Sequence, residues 1–224
     1  MDKLGRWQDH LPESELEVYR KAGFGQRIGM GRRAALLNVD TTWMFLDPSY
    51  AMCGRRMPEL EAALERITNA FRRLDLPIHY SRRDDRSHPT YRGVWNHKLG
   101  TADTFQYTSD PRADQWPEAF GPRPVDRIVL KNKPSAFFGT PLESFLRYDD
   151  VDTLVVVGVS TSGCVRAAVE DAFSHNFRVV VVPQCCGDRS PSAHRANLFD
   201  MDMKFADVED LDVVLDALPR HAGR

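Results

Sequence analysis

The apolar positions of the chain fall into two patterns. Some form short, mostly apolar runs that do not alternate: Ala34–Val39 before Asp40, Arg127–Leu130 before Lys131, Thr153–Val159, and Arg178–Val182 halted by Pro183. Such runs, rather than alternating ones, suit strands covered on both faces, as in a parallel sheet. Pro77–Tyr80 and Lys204–Val208 read as two further short strands. Other apolar residues recur at helical spacing. Leu60, Leu64, Ile67, Phe71 and Leu74 follow Pro58-Glu59, a first-turn proline and acid that mark a helix start. Val165, Ala168, Val169, Ala172 and Phe173 give the buried face of a helix from about Gly163 to Asn176. Ser190 as a cap and Pro191 in the first turn open another helix, running to about Asp200. Shorter helices are expected at Glu13–Lys21, Pro141–Arg147 and Val208–Leu218. Strands alternating with helices predict a three-layer α/β/α, Rossmann-like domain on a mainly parallel sheet.

The pattern lapses twice. Residues 1–33 are polar and end in the Gly- and Arg-rich stretch Gly23–Arg33, so they read as an N-terminal arm preceding a domain over 34–224. Residues 81–126 are polar with little periodicity. So long a loop in a compact domain points to a lid or a partner surface.

Composition narrows the setting. With 224 residues, 42% of them hydrophobic, the chain can bury one sizeable core. Thirty Lys+Arg against 32 Asp+Glu give a net charge of −2, which offers no global attraction for nucleic acid or an anionic membrane. Thr153–Val159 is far short of the roughly 20 apolar residues that span a bilayer, and Met1–Trp7 lacks the apolar core of a secretory signal. The four cysteines, two of them adjacent, do not make a disulfide framework. A reducing, cytoplasmic setting is expected.

In open parallel sheets ligands collect at the carboxyl ends of strands. An acid (Asp40), a cation (Lys131) and a thiol (Cys164) all follow predicted strands. Cys164 lies in Gly158-Val159-Ser160-Thr161-Ser162-Gly163-Cys164-Val165-Arg166, a strand, a tight turn and a helix start. Free backbone N–H groups there favour thiolate, and the same groups can hold an oxyanion. Each residue also has a plainer reading: Cys164 as a small buried packer, Asp40 as a turn cap, Lys131 and Lys133 as solvated lysines. Cys53, Cys185 and Cys186 lack such surroundings and read as structural.

Leu36–Asp40, Lys131–Glu143 and Gly158–Arg166 resemble the three signature stretches of the isochorismatase-like cysteine hydrolases. The resemblance extends from about Gly23 to Leu218 and is nearest the N-carbamoylsarcosine amidase branch, through Gly23–Gly29, Gly187–Pro191, Asn197–Asp200 and Lys204–Val208. Maleamate amidases share much of this pattern. The resemblance implies an amidohydrolase that releases ammonia from a small carboxylated amide or N-carbamoyl compound. In it Asp40 is the base, Lys131 holds Asp40 ionised, and Cys164 is the nucleophile that forms a thioester. It further implies a cis peptide between Val159 and Ser160, oxyanion donors at Ser160 and Cys164, and a homo-oligomer. Substrate binding falls to Arg189 as a carboxylate clamp, to Trp95 and to Thr161. Two plainer readings compete: an Arg189–Asp188 ion pair, and Trp95 as a packing residue. Arg27 or Arg32 of the arm is a candidate contributor to a neighbouring subunit.

Two features depart from the pattern. Trp43, three residues after Asp40, replaces the Gln or Asn common in the family and puts an aromatic near the pocket mouth. Related nicotinamidases bind a metal through an Asp and closely spaced His residues, whereas Asp84, Asp85, His88 and His97 are scattered through a polar loop. No metal and no cofactor are expected. Of the rival functions, an isochorismatase proper lacks the nucleophilic Cys, and a dinucleotide-dependent oxidoreductase needs a Gly-x-Gly-x-x-Gly turn where Val39–Trp43 stands. A catalytically silent binding module would not need the Asp/Lys/Cys set.

Overall fold

A computed structural model describes residues 3–84, 93–98 and 110–223. Strands β1 (Ala34–Val39), β2 (Ile78–Arg83), β3 (Arg127–Lys131), β4 (Thr153–Val159), β5 (Arg178–Gly187) and β6 (Asp207–Val208) form one sheet. Its order is β3-β2-β1-β4-β5-β6 and every neighbouring pair is parallel. The helices are α1 (Glu13–Ala22), α2 (Trp43–Leu46), α3 (Pro58–Arg73), α4 (Trp95–Lys98), α5 (Leu142–Tyr148), α6 (Arg166–Ser174), α7 (Pro191–Lys204) and α8 (Leu211–Ala217).

Alternate strand residues feed two cores, which makes the three layers. Leu37, Leu154 and Val156 pack with Leu146, Val169, Ala172 and Met201 on one face. Leu36, Tyr80, Val155 and Val157 pack with Leu64, Ile67, Phe71 and Val214 on the other. Because both faces are covered, the central strands are mostly apolar, with Asn38 and Thr153 buried among Val, Leu and Ala, and each fully buried Val or Leu contributes about 1.5–3 kcal/mol. None of the described helices is long and apolar enough to cross a membrane.

The chain leaves β1 toward β2 and β3, then returns to lay β4 on the other side of β1. The crevice beyond the carboxyl ends of β1 and β4 is therefore the switch point of the sheet. There the two strands approach so closely that a Cβ on Gly158 (φ 122°) would stand 2.1 Å from the Val39 carbonyl oxygen. Only glycine fits.

Several boundaries differ from those read in the sequence. Pro183 does not end β5, which continues to Gly187 across a register irregularity opposite Val156–Gly158; a residue without an N–H is tolerated at such a break. Strand β2 runs on to Arg83, hidden in the sequence by its polar end. Phe173 is 40% exposed, not buried; it meets Phe205 edge-on. The helix carrying Cys164 begins as a π turn over Thr161–Val165. The arm lies against the rest of the chain: Leu4, Trp7 and Leu16 join the first core, and the Trp7 indole donates to Asp202 at 2.9 Å. Arg27 pairs with Glu209 of its own chain.

Candidate active site

The turn from β1 places Asp40 in the left-handed region (φ 55°), a conformation that short polar side chains tolerate. Its carboxylate is buried beside Lys131 at the end of β3, Nζ to Oδ2 2.8 Å. The long lysine stem crosses β2 to make this contact. The same ammonium donates to Cys164 Sγ at 3.5 Å and to the Lys133 carbonyl at 3.2 Å, which brings the thiol and the carboxylate to one cation. Ser81, on β2 between them, fixes the acid: its hydroxyl donates to Asp40 Oδ1 at 3.1 Å, and its carbonyl accepts the Asp40 N–H at 3.0 Å. Sequence reading missed Ser81 because β2 extends beyond its apolar stretch.

Burial works against the Lys131 charge, but Asp40 and then Cys164 outweigh it and raise its pKa. The ammonium is therefore permanent near neutral pH. Burial pushes the Cys164 thiol up to about 12, with Lys131 pulling it down and Asp40 pushing it up. This corrects the expectation of a resting thiolate: desolvation overrides the helix start, and the sulfur keeps its proton beside a carboxylate that can take it.

A cavity of about 230 Å³ opens over these groups. Asp40, Lys131, Ser160, Ser162, Gly163 and Cys164 form its floor and Arg189 one flank, while Met44, Phe45, Met52 and Trp95 make an apolar wall. The Val159–Ser160 peptide is cis, as the resemblance implied. In the π turn the Ser160 carbonyl accepts from the N–H groups of Gly163 (2.9 Å) and Val165 (3.2 Å).

Arg189 faces the cavity. Its Nη1 donates to Ser160 Oγ at 3.1 Å and its Nη2 to the Met52 carbonyl. Gly54 (φ 74°) lets the stem pass, since a Cβ there would lie 2.9 Å from Arg189 Cγ. Asp188 accepts instead from the backbone N–H groups of Ser162 (2.7 Å) and Ser190 (3.3 Å). Thr161 stands apart from the cavity: it is fully buried, with its hydroxyl between the Gly187 carbonyl (3.1 Å) and His194 Nδ1 (2.8 Å). Trp43 is also off the cavity, 4.7 Å beneath the Arg112 guanidinium, and the next residues of α2, Met44 and Phe45, line the pocket instead.

Sequence reading also missed Arg83 and Asn132, which line the cavity from the ends of β2 and β3. Arg83 is held by two hydrogen bonds to Asp114, at 2.7 and 2.8 Å. Of the scattered loop residues, Asp84 donates its N–H to the Lys131 carbonyl (2.9 Å) and His97 is exposed on α4. Asp85 and His88 lie outside the described residues. Cys53, Cys185 and Cys186 are buried free thiols away from the triad.

The isochorismatase domain model matches residues 34–213. The chain is 35% identical over 220 residues to an N-carbamoylsarcosine amidase from Arthrobacter, covering 93% of this chain and 81% of that protein. It is 37% identical over 189 residues to the maleamate amidohydrolase of Pseudomonas putida, covering 83% and 86% of the two chains. A cysteine hydrolase from Pseudomonas syringae superposes with a TM-score of 0.73 at 22% identity, over 82% of this chain and 91% of that one, and so shares the fold. The chain belongs to the isochorismatase family.

Proposed function

We propose that the protein is a cysteine amidohydrolase that releases ammonia from a small carboxylated amide or N-carbamoyl compound. The observation that carries this reading is the buried cluster of carboxylate, ammonium and thiol, with Lys131 2.8 Å from Asp40 and 3.5 Å from Cys164, under a cavity flanked by a guanidinium.

The chemistry follows from these positions. As the substrate carbonyl settles over Cys164, Asp40 takes the thiol proton while the sulfur–carbon bond forms. Lys131 pairs with Asp40 beforehand and faces the sulfur as negative charge develops there. The backbone N–H groups of Ser160 and Cys164 receive the oxyanion. The carbon–nitrogen bond then breaks, Asp40 returns the proton to the nitrogen, and ammonia leaves a thioester on Cys164. Water, losing a proton to Asp40, attacks that thioester. The acid departs and the sulfur regains its proton.

Arg189 supplies the clamp for the substrate carboxylate, because a guanidinium offers a planar fork that matches it. Trp95 and the neighbouring Met and Phe side chains cover the carbon skeleton. The two curated relatives act on an N-carbamoyl amino acid and on maleamate by name, and both kinds of compound carry a carboxylate near the scissile carbonyl. Ammonia release from a panel of carboxylated amides and ureas tests the reading; turnover of such compounds but not of their neutral esters is expected, and inertness to the whole panel overturns it. Arg189→Met is expected to raise KM for the carboxylated substrate by about 10–100-fold with kcat within about threefold; an unchanged KM removes Arg189 from substrate binding.

A reducing, cytoplasmic setting belongs to the same reading, supported by the four free cysteines. So does a homo-oligomer, supported by the exposed Val125, Phe138 and Tyr148, and sedimentation of the purified chain checks it.

A further inference from the structure

We infer that Asp188 is a positioning residue for the hydrolysis, acting through the backbone of the nucleophile turn. This rests on the reading of Cys164 as the nucleophile. A helix start presents several N–H groups that are not yet bonded, and a turn with all of them free could hold an oxyanion in more than one place. Here they are allotted. Gly163 and Val165 give theirs to the Ser160 carbonyl, and Ser162 gives its own to Asp188 Oδ2 at 2.7 Å. The N–H of Cys164 is not among these, and it is the one beside the reacting sulfur.

Asp188 is suited to that task. It is 8% exposed, and its second oxygen accepts the Ser190 N–H at 3.3 Å, so the carboxylate bridges the nucleophile turn to the segment after β5. The bridge is doubled one residue away. The Thr161 hydroxyl donates to the Gly187 carbonyl and so accepts from His194 Nδ1 on α7. Arg189 sits between these ties, with Nη1 on Ser160 Oγ. The carboxylate clamp and the oxyanion donors are thus fixed relative to one another by Asp188, which touches neither substrate nor sulfur.

The test is Asp188→Asn, nearly isosteric, which keeps one acceptor oxygen and turns an amide N–H toward the other backbone donor. Hydrolysis needs the oxyanion donors, whereas alkylation of Cys164 by iodoacetamide is a displacement at a methylene carbon that does not. The expected result is a kcat lowered by about 10–100-fold with the alkylation rate of Cys164 within about twofold of the parent enzyme. An unchanged kcat overturns the inference, and so does an alkylation rate that falls in step with kcat. Asp188→Ser carries the same test should the Asn variant fail to fold, and failure of both to fold makes Asp188 a folding residue instead. Activity surviving in Cys164→Ala would strike the underlying reading; a dead Cys164→Ala beside a fully active Asp188→Asn strikes this inference alone.

Discussion

Cys164→Ala is expected to lower kcat/KM by at least about 10⁴-fold while the protein stays folded. Among the described residues lining the cavity, the Cys164 sulfur is the one nucleophile that shares the buried Lys131 with the Asp40 carboxylate, so none of them can take over the first step. The alanine variant loses one sulfur atom at the cavity floor, at the edge of the first core, and Asp40 keeps its partner Lys131 at 2.8 Å. Its melting temperature should therefore fall within a few degrees of the parent's. Ammonia release and a thermal melt on the same preparation check both halves. Activity within tenfold of the parent would remove Cys164 from the mechanism.

The second large effect is on stability as well as rate. Lys131→Met strands the Asp40 carboxylate, which is 2% exposed, without its counter-charge. Breaking a buried pair from one side costs about 3–5 kcal/mol, because the remaining charge stays desolvated. Activity should vanish too, since the ammonium that pairs with Asp40 and faces the Cys164 sulfur is gone. Adding Asp40→Asn to this variant should restore much of the stability and none of the activity, because the amide needs no cation. Urea denaturation of the two variants and the parent measures the difference. A loss under about 1 kcal/mol in Lys131→Met would place the pair in water rather than in the interior.

Much of this was legible in the chain, for identifiable reasons. Strands buried on both faces write themselves as largely apolar runs, so β1 and β4 could be read directly, and the edge strand β3 showed as the short run Ile128-Val129-Leu130. Their ends then pointed to Asp40, Lys131 and Cys164. Lys131 stands directly after its strand, and its distance from Ser135-Ala136-Phe137 separates it from Lys133; in the fold Lys133 lends its carbonyl to the Lys131 ammonium. Where strands enter the crevice they turn polar and the signal fades. Ser81 and Arg83 were lost that way, although one anchors Asp40 and the other lines the cavity. The register of the single turn α2 decides whether Trp43 or Met44 and Phe45 face the pocket, and four residues carry too little periodicity to show it. The protonation of Cys164 was read from its turn alone, but burial governs it, and burial depends on residues far apart in sequence.

The central claim is that Cys164 carries the acyl group between the two halves of the reaction. Mixing the enzyme with a turned-over carboxylated amide, quenching in acid within the first turnovers and digesting the protein gives a direct view. The account predicts a peptide containing Cys164 heavier by the substrate mass less ammonia, an increment lost on mild alkaline hydrolysis and absent from Asp40→Asn. A quenched enzyme that is hydrolysing substrate rapidly yet carries the increment on another residue would contradict it.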